Sequence, residues 1–170
     1  MNYSIVFSSK TGNTKILARK IREALGAEGC TYFGEPSEKG AEEEIIFIGF
    51  WTDKGTCDEA LKEFLVSLDN KKVYIFGTAG FGGSEEYFKQ ILQRVKMNLN
   101  ATNTILGEFM CQGKMPRSVG ERYEKMAKEN PDNKKFKEMI DNYNKALVHP
   151  NDEDLEKVIE NIKNVICIYK

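Results

Sequence analysis

Short apolar runs alternate along the chain with longer stretches in which apolar residues recur every three or four positions. The runs are rich in Ile, Val and Phe, and they predict strands at residues 3–8, 30–33, 45–50, 73–77 and 104–111. The run at 30–33 is the weakest of the five. Because these runs are apolar at consecutive positions, we expect strands that are buried on both faces, as in a parallel sheet.

The segments between the runs have the spacing of amphipathic helices. Leu17, Ile21 and Leu25 share one helical face, and similar stripes occur at 60–68, 87–95 and 155–162. Strands that alternate with helices predict right-handed βαβ units. We therefore expect an α/β fold, with a three-layer, doubly wound, five-stranded parallel sheet in the strand order 2-1-3-4-5. Ligands of such sheets bind beyond the carboxyl ends of the strands, at the switch point.

The segment at about 115–149 departs from this alternation, because it is polar and helix-prone with no strand. Asn130-Pro131-Asp132 divides it into two helical pieces. We interpret residues 1–170 as a single domain with a helical insertion at 115–149. His149 is then a connector residue, and Asn151 or Asp152 is the expected N-cap of the last helix.

Composition narrows the function classes. The chain is 41% hydrophobic with a net charge of −1, so nothing indicates a nucleic-acid partner. No apolar stretch reaches the length of a membrane span, and no basic region followed by an apolar run marks a signal peptide. The cysteines are widely spaced, which fits a reducing cytoplasm and argues against disulfides or zinc; they are Cys30, Cys57, Cys111 and Cys167. His149 is the only histidine, which argues against a histidine metal site or triad.

The first predicted strand runs into a loop rich in hydroxyl groups, from Ser8, Ser9, Thr11 and Thr14. Gly12 allows a tight turn in which successive N–H groups face one concavity, and the following helix adds its N-terminal amides. The loop has neither the triphosphate-binding nor the dinucleotide-binding glycine pattern. We interpret it as a site for a phosphate monoester. The alternative is an ordinary turn in which Thr14 is the N-cap.

Residues 9–14, Ser-Lys-Thr-Gly-Asn-Thr, resemble the Thr/Ser-x-Thr-Gly-x-Thr phosphate loop of flavodoxins, which also follows the first strand. The resemblance implies an FMN-binding protein in which hydroxyls and backbone amides of this loop hold the FMN phosphate. The cofactor contacts expected here are Ser8, Ser9, Lys10, Thr11, Gly12, Asn13 and Thr14. Lys15 departs from the family, since many flavodoxins carry an acid there.

Two further loops are placed as flavodoxins place the loops beside the flavin ring. The loop after the third strand contributes the expected contacts Trp51, Thr52, Asp53, Lys54 and Gly55. The loop after the fourth contributes Thr78, Ala79, Gly80, Phe81, Gly82 and Gly83. Trp51 and Phe81 are the candidates for packing against the ring, and Tyr87 is a second choice that also fits a helix core. The alternative for Trp51 is packing under its own loop.

The resemblance also implies that the Lys54-Gly55 peptide rotates when the flavin is reduced, so that its carbonyl accepts a hydrogen bond from flavin N5. The alternative is an ordinary turn glycine. Carboxylates cluster in the same loops and at the helix starts behind them: Asp53, Asp58, Glu59, Glu85 and Glu86. Complementarity to the helix dipole alone explains the last four. The same charges would also disfavour a reduced, anionic flavin, which Lys54 partly offsets.

Three functions remain open at this level. The first is an electron-transfer protein that shuttles electrons between redox partners, a reductase donor and an acceptor enzyme, with FMN as cofactor. The second is an FMN-dependent NAD(P)H quinone or small-molecule reductase, with the 115–149 insertion and the Phe81 loop as a substrate or dimer surface. The third is a flavin-free interaction module, because a fold alone does not establish a function. No residue is predicted to be catalytic or to bind a metal, and Cys57 and Cys111 are expected to be structural.

Overall fold

The computed structural model describes residues 1–166, so Cys167 lies outside the described part of the chain. Five strands form one parallel sheet, and their order β2-β1-β3-β4-β5 confirms the predicted topology. Each strand overlaps the run predicted for it. The strands are β1 (Tyr3–Phe7), β2 (Cys30–Gly34), β3 (Ile45–Trp51), β4 (Lys72–Ala79) and β5 (Thr104–Gln112).

Helices cover both faces of the sheet. The helices of residues 1–166 are α1 (Asn13–Leu25), α2 (Glu59–Ser67), α3 (Glu85–Lys96), α4 (Arg117–Glu129), α5 (Lys134–Ala146) and α6 (Asp152–Ile166). The stripes of α2 and α3 pack into one core with Ile46 and Ile48, and those of α1 and α6 pack into a second core with Phe47. Because side chains alternate along a strand, β3 supplies both cores. The result is the predicted three-layer arrangement.

Two glycines allow close packing near the carboxyl ends of the central strands. Gly49 lies opposite Phe76, and Phe50 lies opposite Gly77, in the β3–β4 register. A Cβ atom at Gly49 would come within 2.5 Å of the Phe76 ring, and one at Gly77 would contact the Phe50 ring. Each phenylalanine therefore fills the space over the glycine of the neighbouring strand. The same register sets Trp51 beside Thr78, so the loops after β3 and β4 begin side by side.

The 115–149 segment forms the antiparallel partners α4 and α5, which pack closely where Gly120 meets the Tyr143 ring. Asn151 then caps α6, because its Oδ1 accepts from the Asp154 amide at 3.0 Å. Asp154 Oδ2 accepts in return from the Asn151 amide at 2.9 Å, which completes a reciprocal cap. His149 is a connector residue as predicted, and its Nδ1 lies 2.6 Å from Asp154 Oδ2.

Within residues 1–166, no helix is both long enough and apolar enough to cross a membrane. Cys30, Cys57 and Cys111 are free thiols.

Candidate functional site

The loops that follow β1, β3 and β4 meet at the carboxyl edge of the sheet and line a cleft of about 490 Å³. Backbone hydrogen bonds continue the sheet into these loops: the Ser8 amide donates to Gly49 O at 3.0 Å, and the Thr52 amide donates to Thr78 O at 2.9 Å. The loops are therefore fixed relative to one another. A cleft of this size is typical of a site for one small molecule.

The loop between β1 and α1 presents free backbone donors. Gly12 has a φ of 90°, in the left-handed region that favours glycine. The Lys15 amide donates to Ser9 Oγ at 3.3 Å, and the Ile16 amide is the first to donate within the helix, to Gly12 O at 3.1 Å. Among residues 1–166, the amides of residues 10–14 have no protein acceptor. Free amides at a helix N-terminus form a binding site for an anion.

The hydroxyls of this loop have different environments. Thr11 lines the cleft, and its Oγ1 accepts from Asn13 Nδ2 at 3.0 Å. Thr14 is fully buried, and its Oγ1 lies 3.1 Å from Thr78 Oγ1 on β4. Thr14 is therefore not the N-cap of α1, and that alternative is wrong; Gly12 holds the N-cap position.

Two buried polar atoms of the loop have no partner among residues 1–166, Ser8 Oγ and Asn13 Oδ1. A buried hydroxyl or carbonyl without a partner costs about 1–3 kcal/mol, and most such atoms in native proteins are paired. The loop therefore holds both free donors and free acceptors beside the cleft.

The cleft is also lined by aromatic rings. Trp51 and Tyr87 are half-buried there, and Phe81 is 43% exposed. Lys10 Nζ lies 4.9 Å from the centroid of the Trp51 ring, a cation–π distance that brings the β1–α1 loop against this aromatic surface. Tyr87 packs against the core as well as lining the cleft, so both interpretations of this residue apply.

The loop after β3 closes in a two-residue hairpin. The Asp53 amide donates to Thr56 O at 2.8 Å, and the Thr56 amide donates to Asp53 O at 3.0 Å. Lys54 and Gly55 have φ values of 48° and 82°, which is the pattern of a type I′ turn. A left-handed conformation at a residue with a Cβ, here Lys54, costs about 1–2 kcal/mol. The Nη1 atom of Arg94, a residue of α3, donates to Gly55 O at 3.2 Å and holds the turn in place.

Residues after β5, which sequence reasoning missed, line the remaining side of the cleft. They are Gly113, Lys114, Met115, Pro116, Val119, Arg122 and Tyr123. Asn13 Nδ2 donates to Lys114 O at 2.9 Å, and the Lys114 amide donates to His149 O at 2.8 Å. The predicted topology could have indicated these residues. Because β5 is parallel to its neighbour β4, the loop after β5 also leaves from the carboxyl edge of the sheet.

A side-chain network connects α5 to the Phe81 loop. Asn142 Nδ2 donates to Gly80 O at 3.0 Å, and Asn142 Oδ1 accepts from Gln112 Nε2 at 3.0 Å. Gln112 Nε2 also approaches Gly80 O at 3.4 Å. The helical 115–149 segment therefore positions the backbone at the base of the Phe81 loop.

The charges that line the cleft are cationic, and the neighbouring acids follow the helix-dipole interpretation. The cationic charges belong to Lys10, Lys54, Lys114 and Arg122, and no Asp or Glu of residues 1–166 lines the cleft. The predicted carboxylates lie elsewhere. Asp58 Oδ1 caps α2, Glu59 pairs with Lys62, and the two acids of α3 stand in its exposed first turn.

Eleven of the predicted site residues line the cleft: Lys10, Thr11, Asn13, Trp51, Thr52, Lys54, Gly55, Thr78, Ala79, Gly80 and Phe81. The others lie behind or beside it: Ser8, Ser9, Gly12, Thr14, Asp53, Gly82 and Gly83. Ser9 and Gly12 border a smaller cavity of about 230 Å³ on the other side of the loop, with Lys15. The motif at residues 9–14 thus identified a loop beside the cleft, but it did not determine which of its side chains line the cleft.

The two buried thiols near this edge are poor nucleophiles. Burial raises the pKa of the Cys57 thiol to about 11, and burial also raises the pKa of Cys111. Thiolates are the reactive form of cysteine, so both residues are held in the unreactive state at neutral pH.

Comparison with known proteins identifies the family to which this chain is similar. The family model described as Flavodoxin domain matches residues 4–163. A flavodoxin-like domain-containing protein BilS from Clostridium symbiosum (strain WAL-14163) is 42% identical over 172 residues, covering 91% of this chain and 90% of that protein. A BilS protein from Clostridioides difficile (strain CD3) is 32% identical over 170 residues, covering 98% and 97%.

Solved structures agree with the fold. A short-chain flavodoxin associated with a bacterial microcompartment superposes with a TM-score of 0.63 at 16% identity, covering 100% of both chains. The flavodoxin of Streptococcus pneumonia TIGR4 superposes with a TM-score of 0.52 at 20% identity, covering 76% of this chain and 97% of that one.

Proposed function

We propose that this chain, which belongs to the flavodoxin family, binds FMN in the cleft and carries electrons between redox proteins. One observation carries the proposal. The loop with free amides at residues 10–14 contributes Lys10, Thr11 and Asn13 to a 490 Å³ cleft that is also lined by the aromatic rings of Trp51, Phe81 and Tyr87. A ligand that satisfies both the amides and the rings must join a phosphate to a planar ring.

The phosphate end fits FMN through backbone donors rather than through a dedicated cation. The amides of residues 10–14 and the Thr11 hydroxyl would hold the phosphate, with the positive end of the α1 dipole behind them. Asn13 lines the cleft, and its Oδ1, which is buried without a partner among residues 1–166, is the acceptor nearest to hand for the polyol next to the phosphate. Hydrogen bonds to a charged group contribute about 1.5–3 kcal/mol each.

The ring end fits the flavin through aromatic faces and backbone groups. Trp51, Phe81 and Tyr87 would contact the ring, and Gly80 allows close approach to Met115 on the far side. Lys10 lies over Trp51, so entry of a ring there requires this side chain to move. When bound, the flavin supplies the one-electron and two-electron chemistry, and the protein supplies binding, orientation and electrostatics.

The type I′ turn at 53–56 is the part of the chain suited to respond to the flavin. Its central peptide joins two residues in the left-handed region, and only hairpin hydrogen bonds and Arg94 hold it. We propose that this turn lies beside the reactive edge of the ring, as the resemblance implies.

A second candidate is an FMN-dependent reductase of quinones or other small molecules. One observation favours it: Met115, Val119 and Tyr123 line the cleft and offer an apolar surface to a substrate. We prefer the carrier, because both buried thiols near the cleft are protonated at neutral pH and its lining holds no histidine or carboxylate.

The visible spectrum of the purified protein, followed by steady-state assays, tests this proposal. We expect a flavin spectrum, either as purified or after addition of FMN, and only background oxidation of NADH or NADPH with quinone acceptors. A protein that shows no flavin spectrum and takes up no FMN contradicts the proposal as a whole. Rapid NAD(P)H oxidation by the purified protein alone would replace the carrier with the reductase.

A further inference from the structure

The cationic side chains that line the cleft form no ion pairs within residues 1–166, whereas several lysine and arginine side chains elsewhere on the protein do. None of the eight ion pairs recorded among residues 1–166 includes a residue that lines the cleft. On the outer helices, by contrast, Lys62 pairs with Glu59 at 3.0 Å and Lys157 pairs with Glu153 at 2.6 Å. The cleft thus keeps uncompensated positive charge on a chain whose net charge is −1.

These cations come from different elements. Lys10 belongs to the β1–α1 loop and lies against Trp51. Lys114 follows β5, and its carbonyl accepts from Asn13 of the β1–α1 loop at 2.9 Å, whereas Arg122 lies on α4. The side chains of Lys114 and Arg122 are both exposed. Their charge therefore remains available at the cleft mouth.

Resting on the proposed function, we propose that the mouth of the cleft beside Lys114 and Arg122 docks the carboxylate-rich face of a redox protein partner. We call this surface the cationic rim: Lys54, Lys114 and Arg122. The exposed Phe81 lies on the same cleft and supplies an apolar contact, and the exposed carboxylates Glu85 and Glu86 follow it in the first turn of α3. A partner with a matching acidic patch is thereby oriented as well as attracted.

A protein partner fits this surface better than a second small ligand. A cleft of about 490 Å³ has the size for one cofactor-sized molecule, so a second small ligand would have no room beside FMN, whereas Lys54, Lys114 and Arg122 are exposed to solvent. Exposed charges also act over a Debye length of about 10 Å at 0.1 M salt, which is enough to guide an approaching surface but adds little to the binding of a seated ligand.

Fluorescence of the apoprotein measures the local charge without any flavin. Trp51 is the only tryptophan and lines the cleft, so its emission reports this site alone. We expect the ratio of iodide to caesium quenching of Trp51 to be several-fold higher than that of N-acetyltryptophanamide, a neutral tryptophan derivative, in the same buffers. The double variant K114E/R122E should reduce the ratio of iodide to caesium quenching, and Lys163→Glu should not, because Lys163 borders a cavity with Met1 and Leu25 instead. A ratio in the unsubstituted protein no higher than that of N-acetyltryptophanamide overturns the proposal.

Electron transfer from the FMN-loaded, photoreduced protein measures steering at the rim. Each ferricyanide ion accepts one electron, so two ions reoxidise one fully reduced flavin, and the flavin protons pass to solvent. We expect the ferricyanide rate to fall about tenfold between low and high salt, while the rate with hexaammineruthenium(III) rises. K114E/R122E should remove or invert this dependence, and Lys163→Glu should retain it.

Poly-L-glutamate tests whether the rim accepts a macromolecular anion. At low salt it should slow the ferricyanide reaction of the unsubstituted protein and of Lys163→Glu, but not of K114E/R122E. If poly-L-glutamate has no effect while the ferricyanide salt dependence remains, the rim serves small anions only and the docking proposal is wrong. If K114E/R122E folds, by its urea midpoint, but loses FMN, the cations belong to the cofactor site and the docking proposal is also wrong. A protein that never takes up FMN contradicts the proposed function instead, and the quenching result still stands.

Discussion

Replacing Asn142 by Ala removes the side chain that connects α5 to the Phe81 loop. Two hydrogen bonds of 3.0 Å are lost, one to Gly80 O and one from Gln112 Nε2. At about 0.5–1.5 kcal/mol each, the loss in unfolding free energy is about 1–3 kcal/mol. Ala is also the better helix former, by up to about 0.7 kcal/mol, which offsets part of the loss.

Asn144→Ala is the matched control for this prediction. Asn144 is exposed on the same helix, two residues away, and no hydrogen bond of its side chain is recorded within residues 1–166. Both variants gain the same helix propensity, so the difference between their unfolding free energies isolates the network. Urea unfolding of the apoproteins should show Asn142→Ala about 1–3 kcal/mol less stable than Asn144→Ala.

The same pair of variants tests whether the network matters for the cleft. If Asn142 positions the Phe81 loop for the ring, Asn142→Ala should weaken FMN binding up to about fivefold, equivalent to about 1 kcal/mol, whereas Asn144→Ala should leave it unchanged. Unfolding free energies of the two variants that agree within about 0.5 kcal/mol would refute the reasoning, because they would show that the Gly80 carbonyl gains nothing from Asn142.

Three other predictions address stability. Thr14→Val and Thr78→Val should each lower the unfolding free energy measured in urea by about 1–3 kcal/mol, because each leaves the partner hydroxyl buried without its 3.1 Å contact. The double variant should lose clearly less than the sum of the two single losses, and additive losses would contradict the pairing. Gly120→Ala should lower the thermal midpoint although alanine favours helices, because its Cβ would come within 2.5 Å of the Tyr143 ring; a stabilised variant would contradict the α4–α5 packing. Burial raises the pKa of the Cys57 thiol to about 11, so the folded state keeps a proton that the unfolded state releases near pH 9. The unfolding free energy should therefore fall as pH rises from about 9 to 11, by up to about 1.4 kcal/mol per pH unit. This component of the alkaline loss should be absent from the urea midpoints of Cys57→Ala.

The sequence allowed the fold and the loop positions to be predicted because their signals are local. Apolar runs mark β1 to β5, and residues 9–14 form one short motif that resembles the phosphate loop of flavodoxins. Trp51 and Phe81 were predicted correctly as cleft residues because each follows a buried strand directly. Parallel strands then bring these loops to one edge.

The rest of the site depends on contacts between residues far apart in the chain. Thr14 turns inward to Thr78, 64 residues away, so a residue that looks like a phosphate donor is buried against β4. Asn13 joins Lys114 across 101 residues, and this contact helps to bring the 115–149 segment to the cleft. The sequence left two interpretations of the nearby acids open for the same reason. In the structure Asp58 caps α2, Glu85 and Glu86 begin α3, and none of the three lines the cleft.

A titration of the apoprotein with FMN and with riboflavin tests the central claim most directly, because the two ligands share the ring and differ by the phosphate. Quenching of flavin fluorescence should give one site for FMN, bound at least about 100-fold more tightly than riboflavin, as expected for a few hydrogen bonds to a charged group. Equal affinities for the two ligands, or no binding of either, would contradict the assignment of residues 9–14 as the phosphate site.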